Sequence, residues 1–309
     1  MLKKIYIAKY HGFCMGVKRA IQIVEETALQ SDEPVTILNE IVHNEVVIEE
    51  LRRKGVGQAT SIDDVPGGTL IIPAHGVSPE IKEQARDKGL KIIDATCSLV
   101  IRIYDIIEDI VSQGYHVIHI GDPNHDETRG IVGHAPDYIT VVASKEELHG
   151  LPDWQGLKLG LTFQTTYHIG ELANVEKIAK EKWPQIEIFN TICNATSQRQ
   201  SAVLELAKYV DIILVVGSTT SANSKRLAKI ANSSCGKGFL INSADDIQIE
   251  WFSGDAEVEV VGISAGASTP QFLVEAVIER LLEISGGSAE IIRPIEKIAG
   301  NSHTANEME

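Results

Sequence analysis

Short, largely uncharged runs of valine, isoleucine and leucine alternate with amphipathic stretches along almost the whole chain. TLIIPA, DIILVVG and VEVVGI are three of these runs, and helical spacing of apolar residues follows each of them. Strands that lack an alternating polar face are typical of parallel sheets covered by helices on both sides. The pattern therefore predicts an α/β fold with mainly parallel sheets.

The length and charge of the chain narrow its class. With 309 residues it can form two or three domain-sized units. A net charge of −15 disfavours general binding to nucleic acid or to an anionic membrane. We expect a cytoplasmic protein, because no run resembles a signal peptide or a membrane span. Four cysteines in such a chain favour metal binding or catalysis over disulfides.

Polar and reactive residues recur at the predicted strand ends, where parallel sheets bind ligands. They fall into three groups, each opening with a cysteine: Cys14, His43 and His75; then Cys97, His125 with Glu127, and Thr165; then Cys193 with Thr196, Ser221 with Asn223, and Ser268. The residue at the next strand end, which is His43, His125 or Ser221, follows the cysteine of its group by 28 or 29 residues. This repeat predicts three similar lobes, over residues 1–96, 97–192 and 193–285, arranged pseudo-threefold around one centre. We predict that residues 286–309 form a C-terminal segment with a flexible end.

Three cysteines that meet on such an axis could hold an iron–sulfur cluster and leave its fourth corner open. Their positions at or before predicted helix starts favour the thiolate form. Two alternatives remain at this stage. The cysteines could be small buried hydrophobic residues, or they could bind zinc, although the chain has no CxxC pair. Cys235 falls outside the repeat and is predicted to be structural.

The remaining strand ends resemble an anion site. IVHNE and PAHGVSP place His43 and His75 before helical stretches, while GSTTSANSKR and SAGASTP supply hydroxyls, an amide and glycines. Helix-start N–H groups and small polar side chains suit a phosphate or diphosphate. The alternative is that Ser221, Asn223 and Ser268 only cap helices, and that the histidines belong to the core.

Glu127, in NHDETRG, is the carboxylate that the sequence singles out. Beside an anionic ligand its pKa would rise, which suits proton delivery near neutral pH. The alternative is a first-turn acidic residue that complements the helix dipole, and Asp126 fits that description better.

Nine segments together resemble one enzyme family: GFCMGVKRAI, IVHNEVV, PAHGVSP, DATCSLV, HDETRGIVG, FQTT, TICNATSQRQ, GSTTSANSKRL and GISAGAS. They run from residue 12 to residue 268 in the order typical of the 4-hydroxy-3-methylbut-2-enyl diphosphate reductases. These enzymes catalyse the last step of the methylerythritol phosphate route to isoprenoids. Any one of the segments alone would be weak support.

The resemblance implies a role for each marked residue. Cys14, Cys97 and Cys193 would hold a 4Fe-4S cluster with one iron lacking a protein ligand, where the substrate hydroxyl binds. Glu127 would deliver protons, with Thr165 as a relay. The allylic diphosphate would be bound by His43, His75, His125, Thr165, Thr196, Ser221, Ala222, Asn223 and Ser268.

The resemblance also implies the reaction and a partner. Two electrons, supplied by flavodoxin or ferredoxin, would remove the hydroxyl as water and yield isopentenyl or dimethylallyl diphosphate. The bound diphosphate would itself be a plausible proton donor to carbon. Three positions depart from the family pattern: His11 replaces a usual arginine, Ser98 a common proline, and Ala222 a second serine. At Ala222 only a backbone N–H could contact the diphosphate.

Two other functions remain open on the sequence. A hydro-lyase can use an open cluster iron without an electron donor. A divergent paralogue or zinc-stabilised protein would bind a diphosphate without catalysing its reduction.

Overall fold

The computed structural model describes residues 2–252 and 258–293. Ten α-helices lie in these ranges: α1 Met15–Gln30, α2 Glu45–Arg53, α3 Pro79–Asp87, α4 Ser98–Ser112, α5 Asp126–Val132, α6 Lys145–Gly150, α7 Leu172–Lys182, α8 Asn194–Leu206, α9 Ala222–Cys235 and α10 Gln271–Ile284. Thirteen strands alternate with them: β1 Lys4–Ile7, β2 Val35–Leu38, β3 Gly57–Ala59, β4 Thr69–Ile72, β5 Lys91–Asp94, β6 Tyr115–Ile120, β7 Ile139–Val142, β8 Lys158–Phe163, β9 Glu187–Ile188, β10 Ile212–Val216, β11 Gly238–Ile241, β12 Val260–Ala265 and β13 Glu290–Ile292.

The described strands form three sheets, and every pairing between neighbouring strands is parallel. Sheet one has the order β3-β2-β4-β5, and sheet two has the order β7-β6-β8-β9. Sheet three has the order β11-β10-β12-β1-β13. The predicted α/β class with three parallel-sheet lobes is therefore confirmed.

Each sheet is covered on both faces, which explains the uncharged strands. Alternate residues of β10 belong to two apolar clusters: Ile212 and Leu214 pack with α10, while Ile213 and Val215 pack with α8 and α9. Sheets one and two are likewise each flanked by two apolar clusters. Strands β4 and β10 are buried along their whole length as a result.

The three sheets share one topological feature. We number the strands of each sheet by their position in the spatial orders given above. In each sheet the direction of the strand order reverses between the second and third positions, which are held by β2 and β4, β6 and β8, and β10 and β12. A crevice opens beyond the carboxyl ends of strands at such a reversal, and ligands bind there in open α/β sheets. The fold therefore creates three equivalent crevices, one in each lobe.

The sheets do not follow the chain in three simple blocks. Strand β1 lies in the range predicted for the first lobe, but Tyr6 pairs with Gly262 of sheet three. Strand β13, from the predicted C-terminal segment, pairs with the other edge of β1. Periodicity identifies a buried strand but not its neighbour in the sheet. The boundaries at 96, 192 and 285 remain predictions, and the predicted flexible end lies in residues 294–309, outside the described residues.

The chain passes from one lobe to the next at three similar junctions. Strands β5, β9 and β1 hold the fourth position of sheets one, two and three. After each of them the chain enters a helix that packs against a different sheet. The helix α4 packs on sheet two, α8 on sheet three and α1 on sheet one. These junctions bring the three lobes together.

We predict that Ile5→Ala destabilises the protein by about 2–5 kcal/mol, because Ile5 of β1 is fully buried in sheet three. Urea unfolding followed by circular dichroism measures this free energy of unfolding. Leu29→Ala is the control, since Leu29 is 87% exposed and its truncation is expected to change stability by less than about 0.5 kcal/mol. Equal losses in the two variants would contradict the assignment of β1 to sheet three.

Candidate active site

One cysteine lies at each junction between lobes, and the backbone holds all three in the same way. Each cysteine N–H donates to the carbonyl of a residue that follows the third strand of its sheet. The three bonds are Cys14 to Ala267 (3.0 Å), Cys97 to Ala74 (2.9 Å) and Cys193 to Thr165 (3.0 Å). Each cysteine is also the N-cap residue of its helix, with extended backbone. The repeated geometry directs three thiols toward one region.

Without a bound metal, the surroundings of Cys97 and Cys193 favour the neutral thiol, contrary to the thiolate form expected from their helix-start positions. Burial raises the pKa of Cys97 and Cys193, and the neighbouring cysteines raise it further. Backbone N–H groups of the following turns oppose this rise. A bound metal deprotonates its thiol ligands outright. The three thiols are therefore arranged as ligands that a metal centre would convert to thiolates.

The space beside the thiols depends on a glycine that the sequence reasoning did not identify. A Cβ at position 16 would lie 2.6 Å from the Sγ of Cys97 and 3.9 Å from that of Cys14. Gly16 therefore keeps the room between two thiols free of side-chain atoms.

The spacing of the thiols bears on the zinc alternative. Two sulfurs on one zinc ion, each about 2.3 Å from the metal, can be no more than about 4.6 Å apart. Within the described ranges, one group of three ligand atoms lies within 4.8 Å of one another, and it comprises His43, His75 and Asp126 instead of the cysteines. At least two of the thiols are thus too far apart for a single zinc ion.

A cavity where the three lobes meet brings all the predicted site residues together. Its lining includes Cys14, His43, His75, Cys97, His125, Glu127, Thr165, Cys193, Thr196, Ser221, Ala222, Asn223 and Ser268. Gly16 and Thr166 also line it and were not among the predicted residues. The cavity opens at the carboxyl ends of the strand pairs where the strand order reverses.

The lining residues occupy equivalent positions in the three lobes. His43, His125 and Ser221 each lie five residues after the end of the second strand of their sheet. His75, Thr166 and Ser268 each lie three residues after the end of the third strand. This second equivalence could have identified Thr166, but it becomes visible only once the strand ends are known.

Glu127 and Thr165 form a closely bonded pair inside the cavity. The Thr165 N–H donates to Oε1 of Glu127 at 2.8 Å, and the Thr165 hydroxyl donates to Oε2 at 2.6 Å. Burial raises the pKa of the Glu127 carboxyl, and the two bonds from Thr165 partly oppose that rise. The pair is a buried acid with a hydroxyl beside it, which is a suitable arrangement for proton transfer.

Three imidazoles face one another across the cavity. The His43 ring stacks on His75 with centroids 5.3 Å apart, and it meets His125 edge-on at 5.2 Å. Burial lowers the pKa of His75 well below its ordinary value and that of His125 to about 4. The Nδ1 of His125 accepts the Glu127 N–H at 3.1 Å, so its ring proton lies on Nε2. His75 and His125 therefore present neutral rings at neutral pH.

Several polar atoms of the cavity have no hydrogen-bond partner within the described structure, although a carboxylate oxygen of Asp126 lies 3.6 Å from Nε2 of His75. They are Nε2 of His43, Nε2 of His75 and both amide atoms of Asn223. An unsatisfied buried polar group costs about 1–3 kcal/mol, so native proteins rarely retain one without a reason. A polar ligand that bonds to these atoms would account for them.

Of the three residues that could only be helix caps, Ser221 alone makes a capping bond in the described structure. The Ser221 hydroxyl caps α9 by accepting the Ser224 N–H at 3.3 Å, and its own proton stays available to the cavity. Ser268 is different, because its hydroxyl donates to the carbonyl of His43 at 2.9 Å and so links two lobes. Asn223 makes no capping bond in the described structure.

Comparison with known proteins agrees with this geometry. The family model described as LytB protein matches residues 5–282. The chain belongs to the LytB family. The family resemblance found in the sequence is therefore confirmed. Within the described residues, no helix has the length and apolar character required to cross a membrane.

Two similar proteins are both named 4-hydroxy-3-methylbut-2-enyl diphosphate reductase. The protein of Protochlamydia amoebophila is 39% identical over 292 residues, which cover 94% of this chain and 92% of the relative. That of Symbiobacterium thermophilum is 40% identical over 279 residues, which cover 87% of this chain and 94% of the relative.

Two solved structures share the fold over almost the whole chain. The E-1-hydroxy-2-methyl-but-2-enyl-4-diphosphate reductase from Plasmodium falciparum superposes with a TM-score of 0.90 and 30% identity, and 97% of this chain and 95% of that chain are covered. A second structure is described as (E)-4-hydroxy-3-methyl-but-2-enyl diphosphate reductase, the terminal enzyme of the non-mevalonate pathway. It gives a TM-score of 0.65 and 35% identity, with 92% of this chain and 100% of that chain covered.

The buried Glu127 carboxyl predicts a pH-dependent effect of Glu127→Gln on stability. An acid whose native pKa is raised holds its proton to higher pH than in the unfolded chain, so native stability falls above the ordinary pKa of 4.5. The glutamine variant carries no such penalty. We therefore expect its advantage in free energy of unfolding, relative to the unaltered chain, to grow as the pH rises above 4.5.

Urea unfolding at a series of pH values measures this difference. Glu279→Gln alters an exposed carboxyl of α10 and controls for the chemical change alone. A difference for Glu127→Gln that stays constant or shrinks with rising pH would contradict a raised native pKa.

Proposed function

We propose that the protein is a 4-hydroxy-3-methylbut-2-enyl diphosphate reductase. It would convert its substrate to isopentenyl diphosphate and dimethylallyl diphosphate by two-electron reductive dehydroxylation, the last step of the non-mevalonate pathway. The observation that carries the proposal is the meeting of three junction cysteines, a buried acid and unpaired imidazole and amide atoms in one cavity. Family membership and the relatives' names support the same activity.

Cys14, Cys97 and Cys193 would hold one 4Fe-4S cluster per chain. Three equivalent thiols that are too widely spread for one zinc ion, with no side chain at Gly16 beside two of them, fit such a group. When bound, it would supply electrons singly and an iron without a protein ligand as a Lewis acid. An electron-transfer protein such as flavodoxin or ferredoxin would deliver the electrons.

The diphosphate would bind to the side of the cavity formed by lobes one and three. Within the described residues, Nε2 of His43, Nε2 of His75 and the amide of Asn223 have no hydrogen-bond partner there. The Asp126 carboxylate lies 3.6 Å from Nε2 of His75. The Ser221 hydroxyl accepts one bond and donates none to a described residue. Ala222 is the first residue of α9, where backbone N–H groups have no helical partner and attract anions. A contact through that N–H would replace the missing serine hydroxyl. His125 and Thr196 would complete the wall of the same pocket.

Glu127 and Thr165 would supply the proton that lets the hydroxyl oxygen leave. The reaction consumes two electrons and two protons: one proton departs with the oxygen as water, and the other joins carbon. Burial keeps Glu127 protonated to higher pH, and the Thr165 hydroxyl can pass its proton onward while it takes one from the acid. Glu127 is the one carboxyl among the described lining residues, so the bound diphosphate is the proposed source of the second proton.

We predict that Cys14→Ser, Cys97→Ser and Cys193→Ser each lose most bound iron and sulfide, because each removes one of three thiolate ligands. Iron and sulfide analysis after anaerobic purification measures this loss. Cys235→Ser is the matched control, since this thiol lies at the end of α9 and contacts the Ala231 carbonyl at 3.2 Å. A full cluster in any of the three variants would contradict that cysteine's assignment.

We predict that Glu127→Gln lowers kcat by about 10²- to 10⁴-fold while the protein keeps its iron and binds substrate. The assay supplies the substrate and a reduced viologen dye under anaerobic conditions, and chromatography coupled to mass spectrometry separates and detects both isomeric products. Glu279→Gln is the control. Near-normal turnover in Glu127→Gln would rule out the proton role. Loss of the hydroxyl without consumption of the dye would indicate a hydro-lyase instead.

A further inference from the structure

The helix that begins after the third cysteine carries a buried cation. Arg199 lies on α8, six residues beyond Cys193, and it is only 5% exposed. Its Nη1 donates to the carbonyl of Ala195 at 2.9 Å, and its Nη2 donates to the carbonyl of Gly12 at 2.6 Å. The second bond joins α8 to the loop just before Cys14. The guanidinium therefore lies between the backbone segments that carry two of the three thiols.

This guanidinium has no acidic partner among residues 2–252 and 258–293. Its two bonds go to neutral carbonyls, and its Nε has no hydrogen-bond partner. Burial lowers the pKa of the Arg199 guanidinium, and negative charge on Cys14 and Cys193 opposes that shift. Arginine does not deprotonate in proteins, and an uncompensated buried charge is strongly unfavourable. Negative charge on those two sulfurs would therefore stabilise the buried Arg199 cation.

We propose that Arg199 is the internal counter-charge of the cysteine centre and makes its reduction easier. The inference rests on the proposed function, in which three thiolates hold an iron–sulfur cluster. Each reduction step adds one electron from an external reductant and no proton, so one more negative charge appears beside the guanidinium. A fixed cation nearby stabilises the product of that step more than its reactant. Arg199 would therefore be a positioning residue that does not touch the substrate.

Exposed cations near the centre cannot serve in the same way. Arg102 on α4 is exposed, five residues beyond Cys97, and Arg19 on α1 is an exposed residue that bonds to the carbonyl of Thr96 at 3.3 Å. Water and salt screen such charges, whereas a buried charge is screened much less. Arg199 is thus the cation whose removal is expected to change the electron affinity of the centre.

The test measures the reduction potential of the anaerobically purified holoprotein by dithionite titration, followed by absorbance and electron paramagnetic resonance. Arg199→Gln and Arg199→Met remove the charge, Arg199→Lys retains it, and Arg102→Gln removes an exposed charge as the control. Charge removal at position 199 is expected to shift the one-electron equilibrium toward the oxidised form by about tenfold or more, equivalent to about 59 mV. The lysine variant and the Arg102 control are expected to stay close to the unaltered protein.

Three results would overturn the proposal. An unchanged potential in fully loaded Arg199→Gln or Arg199→Met would show that the cation does not act on the centre. An equal shift in Arg199→Lys would show that the bond to Gly12 matters and the charge does not. Failure of both neutral variants to fold, even without iron, would make Arg199 a structural link only. An unaltered protein that binds no iron would instead refute the proposed function, which separates the two failures.

Discussion

The structure depends on the hydrogen bond that each cysteine N–H makes at a junction between lobes. The bond fixes the cysteine beside the carboxyl end of the third strand of one sheet, while the following helix packs on another sheet. Each cysteine thus contacts two lobes. Together the three cysteines bring three strands and three helices to one centre: β4, β8, β12, α1, α4 and α8. The cavity, its thiols and the space kept by Gly16 all follow from this arrangement.

The three lobes have equivalent backbones but carry different side chains at equivalent positions. The position five residues after the second strand carries His43, His125 and Ser221 in the three lobes. Lobe two alone adds a buried acid with a bonded hydroxyl, Glu127 and Thr165, whereas lobes one and three present polar atoms without a hydrogen-bond partner in the described structure. An elongated substrate with a charged end and a reactive end would therefore have one defined orientation. The equivalent backbones position the groups, and the different side chains would give lobe two a role in proton transfer and lobes one and three a role in binding the anion.

Much of this arrangement could be predicted from the sequence, because buried parallel strands and cysteines at regular spacing are local signals. The partner of β1 could not, since the pairing of Tyr6 with Gly262 joins residues far apart in the chain. Gly16 was missed because its role is the absence of a Cβ beside thiols brought together only by folding. Arg199 was missed for a related reason: in sequence it is an ordinary helix cation, and only burial without an acidic partner distinguishes it.

We propose that the three junction cysteines hold a cluster with one open corner, to which the substrate binds. Mössbauer spectroscopy of iron-57-enriched protein, purified without oxygen and measured with and without the hydroxymethylbutenyl diphosphate, tests it most directly. We expect four irons, one of them with non-sulfur ligation and a signal that shifts when substrate is added. Four equivalent irons that ignore the substrate, or protein without iron, would contradict it.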